Sequence, residues 1–217
     1  MESGNPALGI RPARLNLPGA AHAGRPRLTR QAHAAWTARL RPGAWAVDAT
    51  AGRGQDTARL ACGVGSGGRV FAIDIQAPAL QATAARLQQE GLADRVTLLH
   101  GDHARLLELL PSEARGRVAL VCFNLGYLPG GDHRVTTRAA STLPALAAAL
   151  ELLEPAGALS VIAYRGHPGA LEETAAVAAF FARLPPPWRC IEEISTGGGG
   201  RPGPVWWLAA GQIVTGT

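Results

Sequence analysis

Short apolar runs alternate with segments of helical periodicity along most of the chain, and this alternation constrains the fold more than any other feature. The runs predicted to be strands are 45–50, 69–75, 95–100, 118–124, 158–164, 189–195 and 205–209. The segments predicted to be helices are 29–41, 56–63, 78–90, 103–110, 138–153 and 171–184. Strands that alternate with helices predict an α/β fold, with a mostly parallel sheet and helices on both of its faces.

The last two predicted strands have no helix between them, which predicts a C-terminal antiparallel hairpin at one edge of the sheet. Five βα units followed by a hairpin form the seven-stranded, Rossmann-like pattern of methyltransferases. We therefore expect one domain over residues 28–217, with the glycine tract 197–200 as a turn inside the hairpin. Trp206 and Trp207 in the last strand are expected to pack in the core.

Basic residues are concentrated near the N-terminus. Residues 1–47 contain seven arginines and one acid, whereas the remaining 170 residues contain 14 arginines and 15 acids. Because residues 1–27 are rich in Pro, Gly and Arg, we expect them to form a basic, irregular arm. Arginine pairs with phosphate through a planar fork of donors, so this charge indicates a polyanionic partner. A solvated, poorly ordered leader explains it equally well.

The turn after the first predicted strand carries Gly52 and Gly54, with Asp48 before them and Asp56 after them. In an open α/β sheet, ligands bind outside the carboxyl ends of the strands, and glycines there let the backbone approach a ligand. The two carboxylates would repel a pyrophosphate but attract the cationic amino group of a methionine moiety. The turn therefore favours S-adenosylmethionine over a dinucleotide. The alternative is that Asp48 only organises the turn and Asp56 only caps the helix.

Polar residues also follow the second and third predicted strands. Asp74 lies 20 residues after Gly54, where a carboxylate can accept hydrogen bonds from both ribose hydroxyls. Gln76 either adds to this contact or faces solvent. Asp102 can accept the adenine amino group, cap the next helix, or do both. His103 either contacts adenine or is exposed.

The segment after the fourth predicted strand has the features of an acceptor site for methylation of an amine. The side-chain oxygen of Asn124 and a carbonyl of the following turn, which contains Leu125 and Gly126, can hold two amine hydrogens. This grip would aim the nitrogen lone pair at the methyl group, so it would act by positioning. Tyr127 can stack on a base. The alternative is a Gly/Pro-rich loop with an Asn turn.

Two further pairs of residues are candidates for the acceptor side. Asp132 or His133 could take the proton of the amine, directly or through solvent. Arg165 and His167, after the fifth predicted strand, would face the same cleft and could grip a substrate phosphate or act as a base. A histidine beside a Pro-Gly turn is also common as an exposed loop residue.

The strings DATAGRGQDT, FAIDIQ, FNLGYLPGGDHRVTT and YRGHPG together resemble the bacterial family long labelled putative rRNA methylases. This family includes the tRNA 5-aminomethyl-2-thiouridine methyltransferases. The resemblance covers about residues 28–210, and NLGYLPGGD is its most distinctive string. It implies a Rossmann-like fold, S-adenosylmethionine as the cofactor, and methylation of the aminomethyl nitrogen on a wobble uridine. The implied partner is therefore tRNA, contacted in its anticodon region.

The resemblance also implies site residues. Those that would contact the cofactor are Arg53, Gln55, Asp56, Asp74, Gln76, Asp102 and His103. The chain departs from the family where it has Arg53 instead of the usual Asn, and Asp102 instead of a frequent Ser. A third departure is Tyr-Arg-Gly-His at 164–167 in place of Tyr-Pro-Gly-His.

These observations predict a tRNA-modifying N-methyltransferase in which Asn124 orients the amine, Tyr127 stacks on the base and Asp132 accepts the proton. The basic N-terminal segment would contact phosphates. Two alternatives stay open: a methyltransferase that acts on rRNA or on a small-molecule amine, and a non-catalytic RNA-binding protein with the same fold.

Other sequence features bear on the location of the protein. Its three cysteines are widely spaced and show no metal-binding pattern, and no signal peptide or 18-residue apolar stretch is present. We therefore expect a cytoplasmic protein without a metal site or a membrane span. A homodimer is one of the oligomeric states that the sequence leaves open.

Overall fold

The structure, a computed structural model, describes residues 27–196 and 202–211. The predicted arm, apart from Arg27, and the glycine tract 197–200 lie outside these residues. The described helices are α1 (Arg27–Thr37), α2 (Gln55–Val64), α3 (Ala77–Gln89), α4 (Leu106–Leu109), α5 (Ala139–Leu152) and α6 (Ala170–Ala182). The described strands are β1 (Trp45–Asp48), β2 (Arg69–Asp74), β3 (Val96–His100), β4 (Val118–Leu125), β5 (Leu153–Ala163), β6 (Arg189–Ile194) and β7 (Val205–Ala210).

The seven strands form one sheet in the order β3-β2-β1-β4-β5-β7-β6. The first five strands are parallel, while β7 runs antiparallel to both β5 and β6. The hairpin therefore lies at the edge of the sheet, with β7 between β5 and β6. This topology confirms the predicted Rossmann-like fold. The strand order reverses between β1 and β4, which is where such sheets bind ligands.

The hydrophobic core lies on both faces of the sheet, and the two tryptophans of β7 divide between them. Trp206 packs with Trp36 of α1 on one face, whereas Trp207 stacks on Phe181 of α6 on the other, with ring centroids 6.1 Å apart. Both are buried, as predicted. Side chains alternate across a strand, so neighbouring tryptophans must face opposite layers. Helices on both faces explain why the central strands are continuous apolar runs.

Three element boundaries differ from the predictions. Helix α1 begins at Arg27, two residues before its predicted start, so Thr29 lies inside the helix. Strand β5 begins at Leu153, which pairs with Val118 ahead of a register shift between β4 and β5. The predicted helix 103–110 is a 3₁₀ turn followed by α4, because the Asp102 carboxylate accepts the N–H of Ala104 and starts a tight turn.

The cysteines do not form disulfides, since Cys62, Cys122 and Cys190 are all free. Only Cys122 is buried, and Cys62 is exposed. No helix within residues 27–196 and 202–211 is long and apolar enough to cross a membrane. The cytoplasmic location stays a prediction.

Candidate active site

A cavity of about 970 Å³ opens at the carboxyl ends of the parallel strands. Its wall is drawn from segments 49–56, 74–76, 101–103, 124–141, 164–166 and 202–204. The predicted site residues in the wall are Gly52, Arg53, Gln55, Asp56, Asp74, Gln76, Asp102, His103, Asn124, Gly126, Tyr127, His133 and Arg165. The predicted residues outside the wall are Asp48, Gly54, Leu125, Asp132 and His167. A volume near the upper end of the range for ligand pockets suits a cofactor with a substrate group beside it.

Asp48 lies behind the cavity rather than in its wall. Its carboxylate is fully buried, and it accepts the N–H of Thr50 (3.2 Å) and the hydroxyl of Thr57 (2.7 Å). Burial, and next the charge of Asp56, raise the pKa of Asp48 to about 7. Asp48 therefore braces the turn between β1 and α2, and its predicted direct contact with the cofactor is replaced by a supporting role.

Gly54 also shapes this turn, although it does not line the cavity. Its φ is 75°, and a Cβ at this position would lie 2.8 Å from Cγ2 of Thr83 in α3. Both the left-handed backbone and the close approach require glycine. The Thr83 hydroxyl in turn donates to the carbonyl of Gly52 (3.0 Å), which fixes the loop to α3.

Asp74 is held at the end of β2 by two backbone groups. Its Oδ2 accepts the N–H of Gly52 and its Oδ1 accepts the N–H of Gln76, both at 2.8 Å. Each carboxylate oxygen keeps further acceptor capacity. Asp74 and Gln76 both line the cavity. A ribose diol placed there would therefore meet the two fixed carboxylate oxygens of Asp74 as acceptors.

Asp102 and His103 line the cavity at the end of β3. Asp102 caps the following turn through Ala104, as one of its predicted roles required. Burial lowers the pKa of His103, so its imidazole is neutral near pH 7. The ring is bonded to the backbone of Ala49, and its Nε2 is buried with no hydrogen-bond partner among the described residues. With the ring proton on Nδ1, this nitrogen is an acceptor that the described residues leave unused.

Asn124 is fixed at the end of β4 by its side chain and its backbone. Its Nδ2 donates to Oδ2 of Asp56 (2.8 Å), and its N–H donates to the hydroxyl of Thr50 (2.7 Å). Oδ1 of Asp56 is 2.8 Å from Nε2 of His33, which is only 4% exposed. A carboxylate can only accept, so the amide nitrogen of Asn124 must face Asp56. Its Oδ1 is thereby oriented as an acceptor away from Asp56.

The loop after Asn124 is tied back to α6. Gly126 and Thr137 bond to each other twice, through the Gly126 N–H to the Thr137 hydroxyl (2.8 Å) and the Thr137 N–H to the Gly126 carbonyl (2.9 Å). The Thr137 hydroxyl donates to the buried carboxylate of Glu173 (2.8 Å). The carbonyl of Leu125 accepts the N–H of Tyr164 (2.9 Å), so each turn carbonyl has one lone pair left for a substrate.

Aromatic rings form the outer part of the acceptor side. The rings of Tyr127 and His133 are 4.2 Å apart and tilted by 39°, and both line the cavity. His167 meets Tyr127 edge-on at 6.3 Å but lies outside the wall. A flat ring system can therefore reach the exposed faces of Tyr127 and His133 from the cavity.

Asp132 points away from the reacting region. Its carboxylate is bonded to the guanidinium of Arg134 (2.8 Å), and both side chains are largely in solvent. This hydrogen bond lowers the pKa of Asp132, which makes it a weaker base. The structure does not bring Asp132 to the cavity, so its predicted role as proton acceptor lacks the required contact.

Charges in the wall are divided between two regions. The acids Asp56, Asp74 and Asp102 come from the segments that follow β1, β2 and β3. The basic residues Arg138 and Arg165 come from the segments that follow β4 and β5, on the acceptor side. Arg53 comes from the first turn, but its guanidinium reaches the Gly130 turn of the acceptor loop. No group of His, Cys, Asp and Glu side chains within the described ranges could hold a metal ion.

Sequence reasoning missed His33, Thr50, Thr137 and Glu173. Thr50 and Thr137 lie inside the strings DATAGRGQDT and FNLGYLPGGDHRVTT, so a closer look at the hydroxyls in these strings could have found them. His33 and Glu173 lie in helices outside every motif, and no local signal marks them.

Comparison with known proteins decides the family. The family model described as "Putative rRNA methylase" matches residues 70–195. The chain belongs to this family. A "tRNA (mnm(5)s(2)U34)-methyltransferase, chloroplastic" from Arabidopsis thaliana is 40% identical over 178 residues, which are 78% of this chain and 64% of that protein. The chain therefore spans less than two thirds of that relative's length.

Solved structures agree with this family. The crystal structure of a "putative rRNA-methylase" from Clostridium thermocellum is 35% identical, with a TM-score of 0.76 over 84% of this chain and 96% of that one. A "putative methyltransferase" from Streptococcus mutans in complex with SAH is 27% identical, with a TM-score of 0.73 over 86% of this chain and 99% of that one. The predicted methyltransferase fold and family are confirmed.

Proposed function

We propose that this protein transfers a methyl group from S-adenosylmethionine to the aminomethyl nitrogen of a wobble uridine in tRNA. The family and the SAH complex of the Streptococcus mutans relative support the cofactor. The name of the Arabidopsis thaliana relative supports the tRNA substrate. The observation that carries the proposal is the amide of Asn124, whose nitrogen is occupied by Asp56 and whose oxygen is left to accept.

The cavity wall fits S-adenosylmethionine. Asp74 offers a fixed carboxylate for the ribose hydroxyls, and the neutral imidazole of His103 offers a buried acceptor. Asp56 and Asp102 add negative charge, which suits a ligand with a cationic sulfonium and ammonium. The bound cofactor supplies a methyl group on sulfur: the amine nitrogen forms the new C–N bond as the S–C bond breaks, S-adenosylhomocysteine leaves, and the product ammonium then releases one proton.

Asn124 acts by holding the amine. Its Oδ1 and a carbonyl of the following turn accept the two N–H bonds of a neutral primary amine, so the nitrogen lone pair is left to face the methyl group. Fixed geometry of this kind lowers the barrier because orientation is established before the reaction. Tyr127 and His133 provide the aromatic surface on which the uridine base stacks.

The proton of the product leaves to solvent. Within the described residues, Asp132 is bonded to Arg134 outside the wall, and Asp56 is already bonded to Asn124 and His33. We therefore assign neither carboxylate as an obligatory base; His133, which lies in the wall, can pass the proton on to solvent. The rate should then follow the fraction of substrate amine that is neutral.

The arginines on the acceptor side favour a nucleic acid over a free amine. Arg53, Arg138 and Arg165 all line the cavity. A guanidinium group can donate two parallel hydrogen bonds to two oxygens of one phosphate. A free amine would carry no phosphate to meet these cations. The family description keeps rRNA as the second candidate substrate.

A substrate panel tests the proposal. The full-length protein is incubated with labelled S-adenosylmethionine and, separately, with tRNA lacking its final wobble methylation, with rRNA, and with free primary amines. We expect label in the tRNA alone. Label only in rRNA or only in the free amines would reject the tRNA assignment, and no label in any acceptor would reject catalysis.

A further inference from the structure

Helix α1 extends a chain of hydrogen bonds into the acceptor site. His33 of α1 contacts Oδ1 of Asp56 in α2, and Oδ2 of Asp56 accepts from Asn124 at the end of β4, both at 2.8 Å. The exposed fractions of the His33 and Asp56 side chains are only 5% and 14%. Three separate elements thus meet at a single carboxylate, whose two oxygens contact His33 and Asn124 respectively.

This arrangement restricts the rotation of two side chains. The terminal torsions of Asp and Asn have broad energy wells, so packing alone does not fix either group. Because His33 contacts Oδ1 of Asp56, Oδ2 faces Asn124. A carboxylate oxygen only accepts, so Asn124 must donate from its Nδ2. Reversal of the Asn124 amide would place two oxygens together and turn its N–H donors toward the substrate, where they would bind the lone pair of the amine instead of leaving it to face the methyl group.

A second contact of α1 reaches the other side of the same site. The hydroxyl of Thr29 is hydrogen bonded to the phenol of Tyr164, which lines the cavity after β5. Thr29 and His33 are four residues apart, so they lie on one face of α1. The buried residues Leu28, Ala32 and Trp36 anchor the helix to the core. Helix α1 therefore packs on the core and carries polar groups that reach the acceptor site.

We propose that His33 is a positioning residue for methyl transfer, which acts through Asp56 to set the Asn124 amide as an acceptor for amines. The inference rests on the proposed role of Asn124 in holding the amine. A leucine would fill much of the space of the imidazole but could not donate to Asp56. The hydrogen bond to Asp56 is a contribution of His33 that leucine cannot replace, and it orients the acceptor site without involving the residues proposed to hold the ribose and adenine.

Two substitutions separate this hydrogen bond from packing. His33→Gln carries an amide nitrogen that can reach the place of Nε2, whereas His33→Leu keeps the bulk without a donor. Thr37→Ala is the matched control, because its hydroxyl bonds within α1, to the carbonyl of His33 (2.9 Å). If His33→Leu does not fold, His33→Asn replaces it, since its shorter amide does not reach Asp56.

The full-length variants are compared by three measurements: kcat and KM for methyl transfer to tRNA, cofactor affinity by calorimetry, and the ¹H–¹⁵N resonances of the Asn124 side-chain amide. We expect His33→Leu to lower kcat about tenfold, as for one lost hydrogen bond to a charged group, with cofactor affinity within about twofold. The Asn124 resonances should shift in this variant. His33→Gln and Thr37→Ala should resemble the wild type in all three measurements.

Two results would overturn the positioning role: unshifted Asn124 resonances in His33→Leu, or equal losses of kcat in His33→Leu and His33→Gln. The failure of the proposed function looks different. In that case the wild-type protein does not methylate tRNA, while the Asn124 resonances still report whether His33 sets the amide.

Discussion

Thr57 donates its hydroxyl hydrogen to Oδ2 of Asp48 at 2.7 Å, and both side chains are completely buried. The carboxylate thereby joins the first turn of α2 to the end of β1, directly beneath the loop that lines the cavity. Such a buried acid makes the loop sensitive to its protonation state, because burial and the nearby Asp56 both disfavour the charged form.

The raised pKa of Asp48 predicts that this group makes stability depend on pH. Its pKa is about 7 in the folded protein against an ordinary value of 3.8, so the folded state binds the proton more tightly. Protonation of Asp48 adds at most roughly 4 kcal/mol to the free energy of unfolding. This stabilisation is fully present below the pKa of Asp48 in the unfolded chain, and it is lost as the pH rises through about 7. Asp48→Asn removes this titration.

Thermal melts across this range compare the two proteins. The Tm of the wild type should fall more steeply with rising pH than that of Asp48→Asn. Parallel profiles would show that Asp48 does not titrate in this window.

Gly54→Ala should destabilise the fold and weaken cofactor binding. The new Cβ would lie 2.8 Å from Thr83 Cγ2 in a backbone with φ 75°. Gly91→Ala is the control, because Gly91 has φ 66° with no atom within 4 Å of the added Cβ. Urea unfolding should show a loss of about 1 kcal/mol for Gly91→Ala and about 3 kcal/mol or more for Gly54→Ala. Equal losses would mean that the contact with Thr83 relaxes freely.

Asp74→Ala should abolish most of the cofactor affinity. The substitution removes the acceptor for the N–H groups of Gly52 and Gln76 as well as the proposed acceptor for the ribose hydroxyls. Calorimetry with S-adenosylhomocysteine should show a loss of about a hundredfold, or about 3 kcal/mol. The control is Asp94→Ala, an exposed acid on a 3₁₀ turn outside the wall. If Asp74→Ala binds S-adenosylhomocysteine as tightly as the wild type, the ribose does not bind to Asp74.

Arg138→Gln should weaken RNA binding and reduce its dependence on salt. Arg138 is exposed in the wall on the acceptor side, where it would meet a phosphate. Losing one phosphate contact to a single-stranded loop should reduce the slope of log K against log salt by about 0.7. The control is Arg183→Gln at the end of α6, outside the wall. If both variants keep the wild-type slope, Arg138 does not contact phosphate.

The sequence predicted the parts of the molecule that depend on local patterns. The element order, the terminal hairpin and the position of Asp74 and Asn124 at strand ends all follow from apolar runs and the residues after them. The link from His33 to Asp56 and Asn124 joins residues 23 and 68 positions apart, so it depends on how α1 packs. The position of Asp132 outside the cavity likewise depends on a contact that the pattern does not show, because its carboxylate is bonded to Arg134 two residues away.

Nucleoside mass spectrometry of tRNA tests the central claim most directly. The tRNA comes from a host that lacks its own final wobble-uridine methylation, and it is treated with the full-length protein and labelled S-adenosylmethionine. We predict a labelled methylaminomethyl-uridine with the wild type and none with Asn124→Ala, although that variant still binds S-adenosylhomocysteine. Label in any other nucleoside, or undiminished product with Asn124→Ala, would contradict the claim that Asn124 holds the aminomethyl group of the wobble uridine.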